Sequence, residues 1–181
     1  MIKIKTLFKK DLNDLGRVIN EVNEDFKEVL EGKAIATRKW DGTAAIIING
    51  EIYKRYDVKK GKQVPQSAIP CQDPDEESGH WPHWVKCEKT NPQDKYFFEA
   101  FKEDLHDGTY ELCGPKINGN REKLEKHQLI RHDTSLLKVP DISFEGIKNF
   151  LLENDIEGIV FYLANGSMCK IRKSDFGIKR N

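Results

Sequence analysis

The chain has 181 residues, 33% of them charged, with 30 basic and 30 acidic side chains and a formal net charge of zero. That balance excludes a global basic field, so any nucleic-acid contact has to come from a local patch. The length suits a single domain over residues 1–181, no apolar run approaches a membrane span, and Met1-Ile2-Lys3-Ile4-Lys5-Thr6 is too charged for a secretory leader.

Ile2, Ile4 and Leu7 predict a short edge strand over residues 2–8. Asp11 is read as the N-cap of a helix carrying Leu12, Leu15, Ile19, Val22 and Phe26 at helical spacing, which Gly32 ends. Ala34-Ile35-Ala36 and Ala44-Ala45-Ile46-Ile47-Ile48 read as buried strands, and Lys39-Trp40-Asp41-Gly42 lies at their junction. A lysine there either snorkels to water or has a task. Asn49-Gly50 predicts a two-residue hairpin into a strand that carries Tyr53, Arg55 and Asp57 on one face. Lys59, Lys60 and Lys62 follow in a glycine-containing loop, equally consistent with a solvated surface and with a binding patch.

Residues 64–94 hold five of the seven prolines and predict a long loop of the kind that serves as a lid. Cys71, His80, His83 and Cys87 fall within it, a spacing that fits no standard zinc finger. With Cys113 and Cys169 they form no Cys-x-x-Cys pair, which points to reduced thiols and a cytoplasmic protein. Trp81 and Trp84 flank Pro82 and are read as pinning the loop.

Residues 95–103 predict a short helix burying Phe97, Phe98 and Phe101. Residues 109–113 read as a strand, residues 114–120 as a turn-rich loop, and residues 121–128 as a helical turn. Phe144, Ile147, Phe150 and Leu151 make an amphipathic helix. Two strands, over residues 158–162 and 168–172, are joined through Ala164-Asn165-Gly166-Ser167. Hairpins alternating with short helices, without a strand–helix–strand series, predict an α+β fold of antiparallel sheets with flanking short helices.

Lys39, Arg55, Glu111, Glu157, Lys170 and Arg172 each place a charge on or beside a strand that otherwise reads as buried. Buried charges are costly unless paired or bound to a ligand. Lys170 and Arg172, two apart, project from one face. Salt bridges at strand ends would explain each charge singly. In this order the set resembles the covalent nucleotidyltransferase superfamily of ATP-dependent polynucleotide ligases and mRNA capping enzymes. Lys39-Trp40-Asp41-Gly42 matches motif I, Tyr110-Glu111-Leu112 motif III, Glu157-Gly158-Ile159-Val160 motif IV and Lys170-Ile171-Arg172 motif V. Tyr110 through Asn120, Gly79-His80-Trp81-Pro82, and Lys170 through Gly177 look like the short ATP-dependent 5′-to-3′ RNA ligase family. The resemblance covers residues 33–178.

The resemblance implies a nucleotidyltransferase (ATP-grasp-like) domain, an adenylyltransferase that uses ATP with Mg²⁺ or Mn²⁺. Lys39 would attack the α-phosphate to give lysyl-AMP, which then activates an RNA 5′-phosphate for joining to a 3′-hydroxyl. An ordinary lysine has a pKa of about 10.4, so Lys170, Arg172 and the metal would assist by like-charge repulsion. By the same carry-over Arg55 contacts ribose or phosphate, Glu111 the ribose or a metal-bound water, and Glu157 the metal's hydration shell. Lys170 binds the α-phosphate with Arg172 beside it, and Asp41 and Gly42 hold the loop.

The match departs from the pattern in three places. The adenine-stacking aromatic expected roughly twenty positions after motif III has only His127, Ile130 or His132 to fill it. Arg172 stands where many members carry lysine, keeping charge without proton transfer. The chain also stops soon after motif V, so no separate C-terminal domain is expected, and RNA would be held by the domain's own basic loops or by a partner protein. Three other readings stay open: transfer of the nucleotide to another acceptor, a non-catalytic module that binds nucleotides or RNA ends, and a structural domain stapled by metal at the Cys/His loop.

Overall fold

A computed structural model describes residues 4–59, 61–74 and 79–180. Ile2, Lys60 and residues 75–78 of the proline-rich stretch lie outside the described residues. The fold is α+β, with antiparallel sheets and few short helices. No helix among the described residues is long and apolar enough to cross a membrane. The described residues form two compact units, one spanning Gly42–His132 and the other combining Ile4–Asp41 with residues 133–180.

The second unit contains the N-terminal strands β1 (Lys5–Thr6), β2 (Phe8–Lys10) and β3 (Val18–Val22), then helix α1 (Lys27–Leu30) and strand β4 (Ala34–Lys39). The helix expected from Asp11 is not formed: residues 18–22 are a strand paired with β2. Asp11 and Asp14 accept from the N–H groups of Asn13 and Gly16, at 2.8 and 3.0 Å, and these local turns use up the backbone that a helix would need. Leu12 and Leu15, whose spacing suggested an apolar stripe, are 91% and 70% exposed. Gly32 does end α1, in left-handed backbone (φ 75°).

The first unit is a six-stranded antiparallel sheet. Its strands are β5 (Thr43–Ile48), β6 (Glu51–Val58), β7 (Ile69–Pro70), β8 (Trp81–Lys86), β9 (Gly108–Cys113) and β10 (Gln128–Arg131), in the order β10-β9-β5-β6-β8-β7. Asn49 and Gly50 both take positive φ (51° and 74°), as the expected hairpin requires, and the Asp107 carboxylate accepts both of their N–H groups. One sheet face carries Ala45, Ile47, Ile52, Tyr110, Leu112 and Leu129 against helix α2 (Lys95–Ala100), which contributes Phe97 and Ala100. Phe98 and Phe101 pack only partly buried against it. The helix stops at Ala100 because Phe101 is extended.

Two expectations fail in this unit. The loop expected over residues 64–94 contains β7 and β8. Pro82 reads as a breaker, yet it sits in β8, where its carbonyl accepts the Cys71 N–H at 2.9 Å. Residues 121–128 form no helical turn: Asn120 and Lys123 adopt positive φ (53° and 56°), and the Asn120 side chain brackets Leu124 instead.

The second unit resumes with helix α3 (Phe144–Glu153) and strands β11 (Gly158–Leu163) and β12 (Met168–Arg172). Ser143 caps α3, its Oγ accepting the Gly146 N–H at 3.1 Å. The sheet order is β1-β12-β11-β4, antiparallel except that β1 runs parallel to β12. Leu7, Phe8, Phe26, Ile147, Leu151, Ile159, Phe161 and Ile171 fill the core beneath it.

Candidate functional site

The register of the four-stranded sheet decides which charges share a face. Lys39 on β4 lies opposite Gly158 on β11, and Gly158 lies opposite Arg172 on β12. In the next row Thr37, Val160 and Lys170 are aligned in the same way. Directly opposed residues point to one side of a sheet, and side chains alternate along each strand. Lys39, Lys170 and Arg172 therefore share the face opposite Ile159 and Ile171, which are fully buried in the core. Gly158 is dictated by close packing. A Cβ there would stand 2.3 Å from the Ile171 carbonyl oxygen and 2.9 Å from the Arg172 Cα. The middle of the row thus carries no side chain between Lys39 and Arg172.

Glu157 immediately precedes β11. Its Oε2 accepts from Lys39 Nζ at 2.5 Å, and its carbonyl accepts the Lys173 N–H at 2.9 Å, which fixes its backbone. Burial pushes the Lys170 ammonium down to about 8, and the like charges of Arg172 and Lys39 add to that against the opposing pull of Asp175 and Glu157. The Arg172 guanidinium is gripped by Asp175, through Nε at 3.2 Å and Nη2 at 2.9 Å. Burial alone would raise the Asp175 carboxyl, but its contacts with Arg172 and Lys10 outweigh that and hold it below the usual range.

The turn after Lys39 is held within the same unit. Trp40 Nε1 donates to Ser135 Oγ at 3.1 Å, and the Arg38 guanidinium lies 3.9 Å from the centre of the Trp40 ring. Asp41 faces Arg180 at 3.5 Å, and Arg180 also reaches Asp155 at 3.4 Å. Asp41 is thus tied to a distant part of the chain.

Gly42, Arg55 and Glu111 belong to the other unit. A Cβ on Gly42 would lie 2.2 Å from the Leu112 carbonyl oxygen and 2.8 Å from Cys113 Sγ. Gly42→Ala is expected to cost about 1–3 kcal/mol and to lower the melting temperature by about 3–10 °C in a thermal scan. Glu111 lies opposite Ala44 and Ile130 in the sheet register, on the face away from Leu112 and Leu129. Its Oε2 contacts His132 Nε2 at 2.8 Å. Arg55 is directed by Asp57, whose Oδ1 accepts its Nε–H at 3.1 Å.

Of the three adenine-stacking candidates, His127 is already committed. It stacks on Tyr96 at 4.3 Å, contacts Glu99 through Nδ1 at 2.9 Å, and accepts the Lys116 N–H through Nε2 at 3.2 Å. His132 is engaged with Glu111, while Ile130 stands partly exposed opposite Glu111. The Cys/His loop does not assemble as a metal centre: among the described residues no three His, Cys, Asp or Glu side chains group to hold an ion. His83 is buried with Nδ1 2.9 Å from the Trp81 carbonyl, and burial pushes the Cys87 thiol up to about 12.

Lys10, Arg180 and His132 as the partner of Glu111 were not singled out by motif, and Asp175, though inside the string of residues 170–177 and three residues after Arg172, was given no role. The others reach the site residues over separations of 21 positions or more.

The chain is 28% identical over 165 aligned residues to RNA ligase 1 of Pongo abelii, in an alignment that takes in 65% of this chain and 49% of that protein. It is 26% identical over 193 aligned residues to RNA ligase 1 of Danio rerio, covering 87% of this chain and 51% of that protein. The chain spans about half the length of these relatives. No family model matches it. The chain is thus distantly related to proteins named RNA ligase 1.

Proposed function

We propose that this chain is the adenylyltransferase part of an ATP-dependent RNA ligase that works through lysyl-AMP on Lys39. The observation that carries the reading is the shared sheet face: Lys39, Lys170 and Arg172 in adjoining rows, with Glu157 on Lys39. The distant relation to RNA ligase 1 supports RNA as the polynucleotide.

In the first step Lys39 Nζ bonds to the α-phosphorus of ATP, the bond from that phosphorus to the bridging oxygen breaks, and pyrophosphate leaves. The proton shed by the amine has an acceptor in Glu157 Oε2 at 2.5 Å. Lys170 and Arg172 oppose the charge that develops on the phosphoryl oxygens. In the second step an oxygen of the RNA 5′-phosphate attacks the same phosphorus and the P–N bond breaks. In the third a 3′-hydroxyl attacks the activated 5′-phosphate and AMP departs. Arg55 and Glu111 are assigned to the nucleotide by the family resemblance alone.

A Mg²⁺ or Mn²⁺ ion suits the hard carboxylate oxygens of Glu157, a single protein carboxylate being enough where phosphates and waters complete the shell. Such an ion supplies charge neutralisation at the phosphates. By the resemblance, Glu111 would bind the ribose or a metal-bound water. A partner protein or a further segment would provide additional RNA-binding surface. The four free cysteines, three of them buried, suit the reducing cytoplasm.

The test is intact mass after incubation with ATP and Mg²⁺, followed by peptide mapping and addition of 5′-phosphorylated RNA. A gain of one AMP on Lys39 that RNA then discharges is the expected result. No gain with ATP, GTP or NAD under either metal would leave a nucleotide- or end-binding module. A gain on another lysine would overturn the assignment of the nucleophile.

A further inference from the structure

Asp175 has no exposed surface, yet both of its oxygens are fully taken by donors, three of them charged. Its Oδ2 accepts from the Arg172 backbone N–H at 2.9 Å and from Arg172 Nε at 3.2 Å. Its Oδ1 accepts from Arg172 Nη2 at 2.9 Å and from Lys10 Nζ at 2.6 Å. A carboxylate has about four lone-pair sites, and here each oxygen takes two donors. Nothing of Asp175 is left over for a ligand. The Arg172 side chain, by contrast, is 34% exposed and lies on the face shared with Lys39 and Lys170. Its Nη1 takes no part in the grip.

We propose that Asp175 is a positioning residue: it locks the Arg172 guanidinium on the phosphate-binding face, and Lys10 keeps the assembly cationic. The proposal rests on the ligase reading for what Arg172 faces. Two charges of +1 against one of −1 leave the cluster at +1, whereas Arg172 and Asp175 alone would be neutral and a poor partner for a triphosphate. The arrangement also gives a reason for arginine at this position. Only a planar fork can occupy two sites of one carboxylate and still present a further nitrogen outward. An ammonium in its place would be consumed by Asp175. Lys10 arrives from β2, so the N-terminal hairpin contributes to the electrostatics of a site whose motifs begin at Lys39.

Asp175→Asn keeps the shape but turns an amide toward two of the four donors. Single-turnover lysyl-AMP formation at saturating ATP is expected to slow by about 10–100-fold, as small misplacements of positioned groups do. Arg172→Lys is expected to slow it comparably, and the double variant no further than the slower single one. Lys10→Met should leave the saturating rate within about twofold and raise the half-saturating ATP concentration by about 3–10-fold, an effect that salt diminishes. The Arg172 Nε–H resonance, resolved in a ¹⁵N arginine spectrum, should be protected from exchange in the native chain and join the solvent-exposed arginines in Asp175→Asn, with or without ATP. An unmoved resonance, an unchanged adenylylation rate, or multiplicative losses in the double variant would each overturn the proposal. If the native chain forms no adduct the ligase reading fails by itself, and the resonance still decides whether Asp175 holds Arg172.

Discussion

Lys170→Met is expected to reduce lysyl-AMP formation by about 10²–10³-fold and, at neutral pH, to make the protein more stable. The two effects have one origin. Lys170 is a cation on a largely buried sheet face, and burial, reinforced by Arg172 and Lys39, lowers its pKa from 10.5 to about 8. A lysine whose folded pKa lies below its unfolded value binds its proton more tightly in the unfolded chain. Its ionisation therefore opposes folding below pH 8, and the penalty shrinks as pH rises toward 10.5. Allowing for partial solvent access, the penalty at pH 7 is on the order of 1–3 kcal/mol. Methionine keeps the length and apolar volume without the charge. Urea melts of the native and Lys170→Met chains across pH should show a stability gain at pH 7 that fades as pH rises through this window, the difference cancelling other titrating groups. A variant less stable than the native chain at pH 7 would show that Lys170 is held there by favourable contacts. A stable and fully active variant would remove Lys170 from the chemistry. The expected outcome is the trade-off of a binding site, where a charge is kept at a cost to stability for a ligand of opposite sign.

What could be read from sequence was what local chemistry decides. Asn49-Gly50 predicted its hairpin because two consecutive positive φ angles suit few other pairs, and residues 164–167 predicted the turn between β11 and β12, where Gly166 takes positive φ (83°). The two-residue spacing of Lys170 and Arg172 placed both on one face before any pairing was known. Long-range register was not legible. Nothing near Lys39 says that Gly158 will lie across from it, nor that Glu157 will reach its ammonium over a separation of 118 residues. The motif order suggested the company these residues keep, and the pairing of β4 with β11 and β12 supplies the geometry. Local signals also misled. Leu12 and Leu15 imitate a helical stripe, but Asp11 and Asp14 capture the backbone first, leaving both leucines exposed. Pro82 argued against a strand, and β8 accommodates it between β6 and β7. The positioning contacts were hidden for the same reason as the register: Asp175 lies inside the string of residues 170–177, but its meeting with Lys10 spans 165 residues.

Lys39→Ala is expected to abolish the covalent adduct, and Glu157→Gln to reduce its formation by at least about 10²-fold while coupling strongly to Lys39 in stability. The ion pair between them, 2.5 Å long, is only 23% and 22% exposed. Removing one partner of such a pair leaves the other as an uncompensated charge in a poorly solvated place. Here the stranded group would be Lys39, already on a face with Lys170 and Arg172. Glutamine keeps the shape and one hydrogen bond, so the loss isolates charge. In the native background Glu157→Gln should cost about 1–3 kcal/mol, and in the Lys39→Ala background much less, giving a coupling energy of about 1–2 kcal/mol in a denaturant double-mutant cycle. The same cycle separates structure from chemistry. If Glu157 also holds the divalent ion, the adduct that remains in Glu157→Gln should need about tenfold more Mg²⁺, whereas a purely structural Glu157 would leave the metal dependence where it was. Equal stability costs in both backgrounds would mean that the Lys39–Glu157 contact carries no net energy. An unshifted metal requirement would move the ion's ligand elsewhere on the chain. If the ion does bind Glu157, the carboxylate would serve two partners, the ammonium and the ion, and the cycle and the metal titration together would show how it divides between them.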